Sequence, residues 1–212
     1  GKAIWGRPNR RNKNVLEEHE MKMFKRFAAV LLVGMMVLAV LTACGGSAPA
    51  SLAERAQSLA EQGIAAGLGN GGTNDKNLTE MAYNALGNVD KDGKLNLNSV
   101  SPKEDDEIAK YEKYVEAIDA GEKAEACTIV SYTIFEGSDY DEVTNTGSVM
   151  KVTSETLNDV FSESKRIASE SLSDEEGVTV RVGVAVREVG GVTYIGYAIS
   201  TTFPEVPAQN AE

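Results

Sequence analysis

Val178-Thr179-Val180-Arg181-Val182-Gly183-Val184-Ala185-Val186-Arg187-Glu188-Val189-Gly190-Gly191-Val192-Thr193-Tyr194-Ile195-Gly196-Tyr197-Ala198-Ile199 decides the fold. Every second residue from Val178 to Val186 is valine, and such alternation places one set of side chains on one face of a strand. Gly190-Gly191 supplies a two-residue turn that tolerates positive φ, so the two halves form a hairpin. With Val189 opposite Val192, Val186 meets Ile195, Val184 meets Tyr197 and Val182 meets Ile199. One face is then wholly apolar, and a slip of one residue would scramble it. The other face carries Gly183, Ala185, Gly196 and Ala198, small enough for a helix backbone to come close.

Working backwards, the periodicity changes. Ser154–Ser171 has Leu157, Val160, Phe161, Ile167 and Ala168 at helical spacing. Thr128–Phe135 (TIVSYTIF) reads as a strand, and Glu136–Val152 as a long loop, acidic in its first half. Ser101-Pro102-Lys103-Glu104 has the form of a capping box with proline at the first helical position, opening a helix with Ile108, Tyr111, Val115 and Ile118 on one face. Helices are also expected at Leu78–Leu86 and from Ser51 to about Ala66, the latter with small apolar residues Ala56, Leu59, Ala60 and Ile64. The expected architecture is α+β: N-terminal helices, then a small, mainly antiparallel sheet closed by the C-terminal β-hairpin, with helices packed on the sheet. Residues 51–203 form this single domain, and residues 204–212, with Pro204 and Pro207, form a frayed tail.

The first 50 residues have a different character. Met21-Lys22-Met23-Phe24-Lys25-Arg26 is basic, Phe27–Ala43 runs without a charge, and small residues precede a cut site, as in a secretory signal. Leu41-Thr42-Ala43-Cys44 resembles the lipobox of bacterial lipoproteins. That resemblance implies a signal peptide over 21–43, cleavage before Cys44, and a diacylglycerol on its thiol. Gly45–Ala50 would be a short tether. The protein would sit on the extracytoplasmic face of the cell membrane. Residues 1–20 read as an upstream extension from a misplaced translation start.

Residues 44–212 carry 13 Lys/Arg against 29 Asp/Glu, a net charge of −16. Such a surface repels nucleic acid, so charge cannot supply the membrane attachment and the acyl chains must. His19 and Trp5, the sole His and Trp, fall before the cut, which leaves no imidazole base and no tryptophan to stack on a sugar. No Gly-x-Ser-x-Gly elbow or Ser-x-x-Lys pair is present. Gly67–Gly72 follows a helix and lacks the Lys-Ser/Thr of a phosphate loop. Cys127, flanked by Ala126 and Thr128-Ile129-Val130, reads as a buried small hydrophobe.

Two stretches remain. Asn88-Val89-Asp90-Lys91-Asp92-Gly93-Lys94-Leu95-Asn96-Leu97-Asn98-Ser99 resembles an EF-hand or dockerin calcium loop. The resemblance implies Asn88, Asp90, Asp92, the Lys94 carbonyl and Asn96 as oxygen ligands to a weakly held Ca²⁺, with Gly93 at the sharp turn. Ser99 stands where a bidentate acid is expected, and Asp90–Gly93 is also good turn chemistry with no ion present. The helix before Val182-Gly183-Val184, followed by Tyr194, is similar to the end of bacterial CAP domains, whose metal site could not be carried over without a histidine. The expected function is a non-catalytic module binding an envelope protein, a wall polymer or a small ligand, with Glu136–Val152 presenting contacts. The alternatives are an envelope enzyme using a cation or carboxylates, or a degenerate CAP-like domain.

Overall fold

The computed structural model describes residues 50–69, 72–137 and 140–209, and all of them fall in one compact unit. The helices are α1 (Leu52–Leu68), α2 (Lys76–Leu86), α3 (Glu104–Asp119) and α4 (Val160–Ser171). The strands are β1 (Lys94–Asn96), β2 (Cys127–Thr133), β3 (Thr146–Ser148), β4 (Lys151–Val152), β5 (Thr179–Val189) and β6 (Val192–Phe203). The fold is α+β.

The hairpin holds the register that the valine alternation predicts: Val189 pairs Val192, Val186 pairs Ile195, Val184 pairs Tyr197 and Val182 pairs Ile199. Along its other flank β6 pairs with β2 and then β4, which lie end to end, all antiparallel. β1 and β3 form a separate two-stranded sheet. Two cores result, one on each face of the hairpin. On the valine face, Val182, Val184, Val186, Ile195, Tyr197 and Ile199 pack on Ala56, Ala60 and Ile64 of α1 and on Val160, Ile167 and Ala168 of α4. On the small-residue face, Ala185 and Ala198 lie in a cluster with Leu78, Ala82, Ala85 and Leu86 of α2, joined by Leu95, Ile134 and Val149. The helix backbone does come close there: a Cβ on Gly183 would stand 2.3 Å from the Thr79 nitrogen.

α1 begins where its sequence predicts. The Ser51 hydroxyl accepts from Glu54 N (3.2 Å), and the Glu54 carboxylate accepts from Ser51 N (2.7 Å), which satisfies two end groups reciprocally. Its small side chains have a packing reason. A Cβ on Gly63 would lie 2.4 Å from the Phe161 carbonyl oxygen, and one on Gly67 2.3 Å from that of Lys165, so α1 meets α4 backbone to backbone. α2 starts two residues before the expected Leu78, because the Asp75 carboxylate accepts from Asn77 N and Leu78 N, each at 3.0 Å.

Two helix starts depart from the sequence reading. α3 is not opened by a Ser101 capping box: its N-cap is Lys103, without a side-chain cap, and Ser101–Pro102 is a cis peptide. The Ser101 carbonyl instead accepts from the Tyr132 hydroxyl at 2.6 Å. α4 begins at Val160 rather than Ser154. Thr153 and Thr156 bond each other's amides through their hydroxyls (Thr153 N to Thr156 Oγ1 2.9 Å, Thr156 N to Thr153 Oγ1 3.2 Å), and a 3₁₀ turn at Leu157–Asp159 follows. Threonine hydroxyls offering the backbone such a local alternative delay the helix.

The tail also differs from expectation. Val206 exchanges two backbone bonds with Ala124 (2.9 and 2.8 Å), and Gln209 N donates to the Gly121 carbonyl at 3.0 Å. The Pro204 carbonyl accepts from Tyr114 of α3 at 2.9 Å. Prolines 204 and 207 leave Val206 free to pair, so the segment is pinned through Gln209.

The outer flank of β5 is occupied. Val182 O accepts from Asp75 N (2.9 Å), Val184 N donates to Asn74 Oδ1 (2.8 Å), and Val186 N donates to Gln57 Oε1 (2.7 Å). Gln57 also donates to Val184 O at 3.0 Å. On β2, Val130 N donates to the carboxylate of Glu107 at 2.6 Å; Glu107 is buried on α3 and ion-paired with Lys110.

Candidate functional site

Cys44, the expected signal segment 21–43 and all but the last residue of the expected tether lie outside the described residues. Among the described residues, no helix is long and apolar enough to cross a membrane.

The expected calcium ligands fall on a tight turn between α2 and β1. Asp90 N donates to the Lys94 carbonyl (2.8 Å) and Gly93 N to the Asp90 carbonyl (3.0 Å), with Gly93 at φ 77°. This is a tight turn with glycine at the left-handed position. Asp90 Oδ1 accepts from Asp92 N (2.9 Å) and Lys94 N (2.8 Å), and these amides, that of Lys94 foremost, hold its carboxyl below the usual range. The Asp92 carboxylate pairs with Lys91 at 2.9 Å. Asn88 donates back to the Asn84 carbonyl (3.1 Å), and Asn96 Oδ1 caps the 3₁₀ turn through Asn98 N (2.8 Å). Each of the five expected ligands therefore has a local hydrogen-bond or ion-pair partner, and the Lys94 carbonyl, a backbone ligand in the calcium-loop reading, receives the Asp90 amide. Among the described residues, no group of three or more His, Cys, Asp or Glu could hold a metal ion.

Residues 140–152 of the expected loop form an excursion built upon that turn. β3 pairs antiparallel with β1, Lys94 opposite Ser148 and Asn96 opposite Thr146, and Val149 N donates to the Gly93 carbonyl at 3.0 Å. Phe135 bridges to Val149, and Asp141 to Thr146. The Phe135 and Tyr140 rings stack at 4.8 Å, over Gly147, where a Cβ would meet the Phe135 ring at 2.9 Å. Tyr140 donates to Asn145 Oδ1 (2.8 Å), and Asn145, at φ 50°, donates to Asn98 Oδ1 (3.2 Å). Burial, with Glu104 next, pushes the Tyr140 hydroxyl up to about 12, so it remains a donor at neutral pH. At the tip, Asp141 Oδ1 accepts from Val143 N (2.9 Å) and Thr144 N (3.4 Å). That turn holds the Val143 side chain out with 94% of its surface exposed.

The sequence reading placed contacts on this segment but missed what stiffens it: Tyr140, Asn145 and Asn98. The available signal was Asp141 followed by Asn145-Thr146-Gly147, an Asx turn leading to a residue type that tolerates left-handed backbone. The acidic first turn of α3, Glu104-Asp105-Asp106-Glu107, divides its work. Glu107 turns under β2, while Glu104, half-buried and beside Asp105, lies 3.5 Å from the Tyr140 hydroxyl. Cys127 is buried and its thiol is pushed up by burial, which fits a core side chain. Val182-Gly183-Val184 and Tyr194, which carry the CAP resemblance, lie on β5 and β6.

No protein-family model matches the chain, and neither a curated protein nor a solved structure matches it.

Proposed function

We propose that this protein is a lipoprotein, anchored through Cys44 at the extracytoplasmic face of the cell membrane, whose domain binds an envelope partner without catalysing a reaction. The anchor reading rests on Leu41-Thr42-Ala43-Cys44 following an uncharged run, and the mature chain has no histidine. The observation that carries the binding reading is Val143, an apolar side chain that folding leaves almost wholly in water at the tip of an excursion with its own internal bonds. Burial of such a side chain is worth about 1.5–3 kcal/mol, which a rigid presenting loop delivers without an ordering cost.

Two measurements test the reading separately. Metabolic labelling with a fatty acid should tag the protein, with Cys44→Ser removing the tag; an untagged wild type in a lipoprotein-competent host defeats the anchor. A photo-crosslinking residue at 143 should give a discrete adduct in intact cells, absent when the same residue replaces exposed Lys113 on α3. Identical adduct patterns at the two positions defeat the assignment of the tip.

A further inference from the structure

The geometry points to a second surface: the end of the domain that carries the hairpin turn docks against the lipid headgroups. This rests on the anchor reading above. Gln57 bonds the edge of β5 at Val184 and Val186, while Asp75, after α1, bonds it at Val182. Gly63 of α1 faces Phe161 and Ser164 at the start of α4, and Gly67 faces Lys165 and Ala168 further along, so α1 runs the same way as α4, which leaves the β4 end of the sheet. Ser51, roughly 9 Å before Gln57 at the helical rise, lies toward the hairpin-turn end, about level with Glu188–Val189. Leu52 and Ala53 pack against the valine-face core, which includes Val152, Val186 and Ile195. The six residues Gly45–Ala50 between Cys44 and Ser51 span at most about 21 Å. An acylated Cys44 holds this end, and not the opposite one, beside the bilayer.

The surface there differs from the rest of the domain. Arg55, Lys91, Lys94, Lys151 and Arg187 gather at it: Lys151 opposes Tyr194, the Gly93 turn lies against the Lys151 side chain and the Tyr194 hydroxyl, and the Arg187 guanidinium covers the Tyr83 ring at 4.4 Å. The carboxylates of the same segments, Glu54, Asp90, Asp92, Glu155, Asp159 and Glu188, exceed these five cations by one, so 15 of the 16 excess negative charges of residues 44–212 fall on the remainder. Anionic headgroups repel what lies within about a Debye length, roughly 8 Å, so the nearly balanced end is the one they tolerate, and its lysines are drawn to them. Val192 at the turn and Tyr83 beside it are also among the few large apolar side chains left exposed.

The test uses the lipidated protein in vesicles of phosphatidylglycerol and phosphatidylethanolamine bearing a headgroup quencher. A fluorophore is placed at Val192→Cys, or at Leu172→Cys past the far end of α4, in a Cys127→Ala background. Quenching at 192 should exceed that at 172 several-fold, and Lys91→Glu with Lys151→Glu should reduce the contrast. Vesicle flotation with equal quenching at both sites overturns the docking and leaves the anchor intact. Failure to float overturns the anchor, and the docking with it.

Discussion

Ser164 gives its one hydroxyl proton to the Val160 carbonyl (2.7 Å), so the hydrogen in its 2.8 Å bond to Tyr197 belongs to the tyrosine. Both side chains are wholly buried, and desolvation pushes the Tyr197 hydroxyl upward, which keeps it a donor. The two halves of this bond are then unequal. Ser164→Ala strands a buried donor and should cost about 1–3 kcal/mol, whereas Tyr197→Phe leaves Ser164 still bonded to Val160 and should cost less. Adding Tyr197→Phe to Ser164→Ala should recover part of the loss in urea unfolding; a further loss would reverse the donor assignment. Glu104 has the opposite character. Burial, then Asp105 and Glu142, raise its carboxyl above the ordinary glutamate value against the lowering effect of Tyr140. A raised carboxyl binds its proton more tightly folded than unfolded, so its stabilising effect is full below the ordinary value and is lost as pH rises through the raised one. Glu104→Gln should therefore be more stable than wild type at neutral pH, with the gain disappearing on acidification. A gain that is constant with pH would rule out ionisation as its source.

Among the elements, the hairpin was fully legible, because a period of two and a Gly-Gly turn determine register without help from elsewhere. The helix starts were less so. The uncapped start at Lys103 and the paired hydroxyls of Thr153 and Thr156 are matters of local geometry that composition does not display. The glycines of the hairpin are likewise unequal. At Gly183 a methyl group would meet the backbone of α2, while at Gly196 it would meet the flexible side chains of Ile134 (3.0 Å) and Leu86 (3.3 Å). Gly183→Ala should cost about 3 kcal/mol and Gly196→Ala clearly less, read as unfolding midpoints; equal midpoints would mean that α2 does not approach so closely. The Asp90 turn closes through its own amides, so chelation should leave the unfolding temperature unchanged. A rise at millimolar calcium, removed by Asp90→Ala with Asp92→Ala, would instead give the segment to the ion.

At the scale of the molecule, α+β and the helix on the small-residue face followed from the sequence, but the joining of the 88–99 turn to the 135–149 excursion did not. That contact is made by three-residue strands and by Asn145 and Asn98, whose pairing spans 47 positions and leaves no periodic trace. The tail was misread for a similar reason, since Val206 owes its order to a partner 82 residues earlier. The flanks of the sheet have a bearing on how copies behave together. Gln57, Asn74 and Asp75 occupy the outer row of β5, and Glu107 occupies Val130 on β2. An outer strand is a template for another chain only while its amides and carbonyls are free. Where many copies crowd into a small area, collision alone cannot then start strand pairing over Val182–Val186 of β5; α1 must first lift from it. At that edge the initiating step is unimolecular, and its frequency is governed by how often Gln57 lets go rather than by how densely the copies are packed.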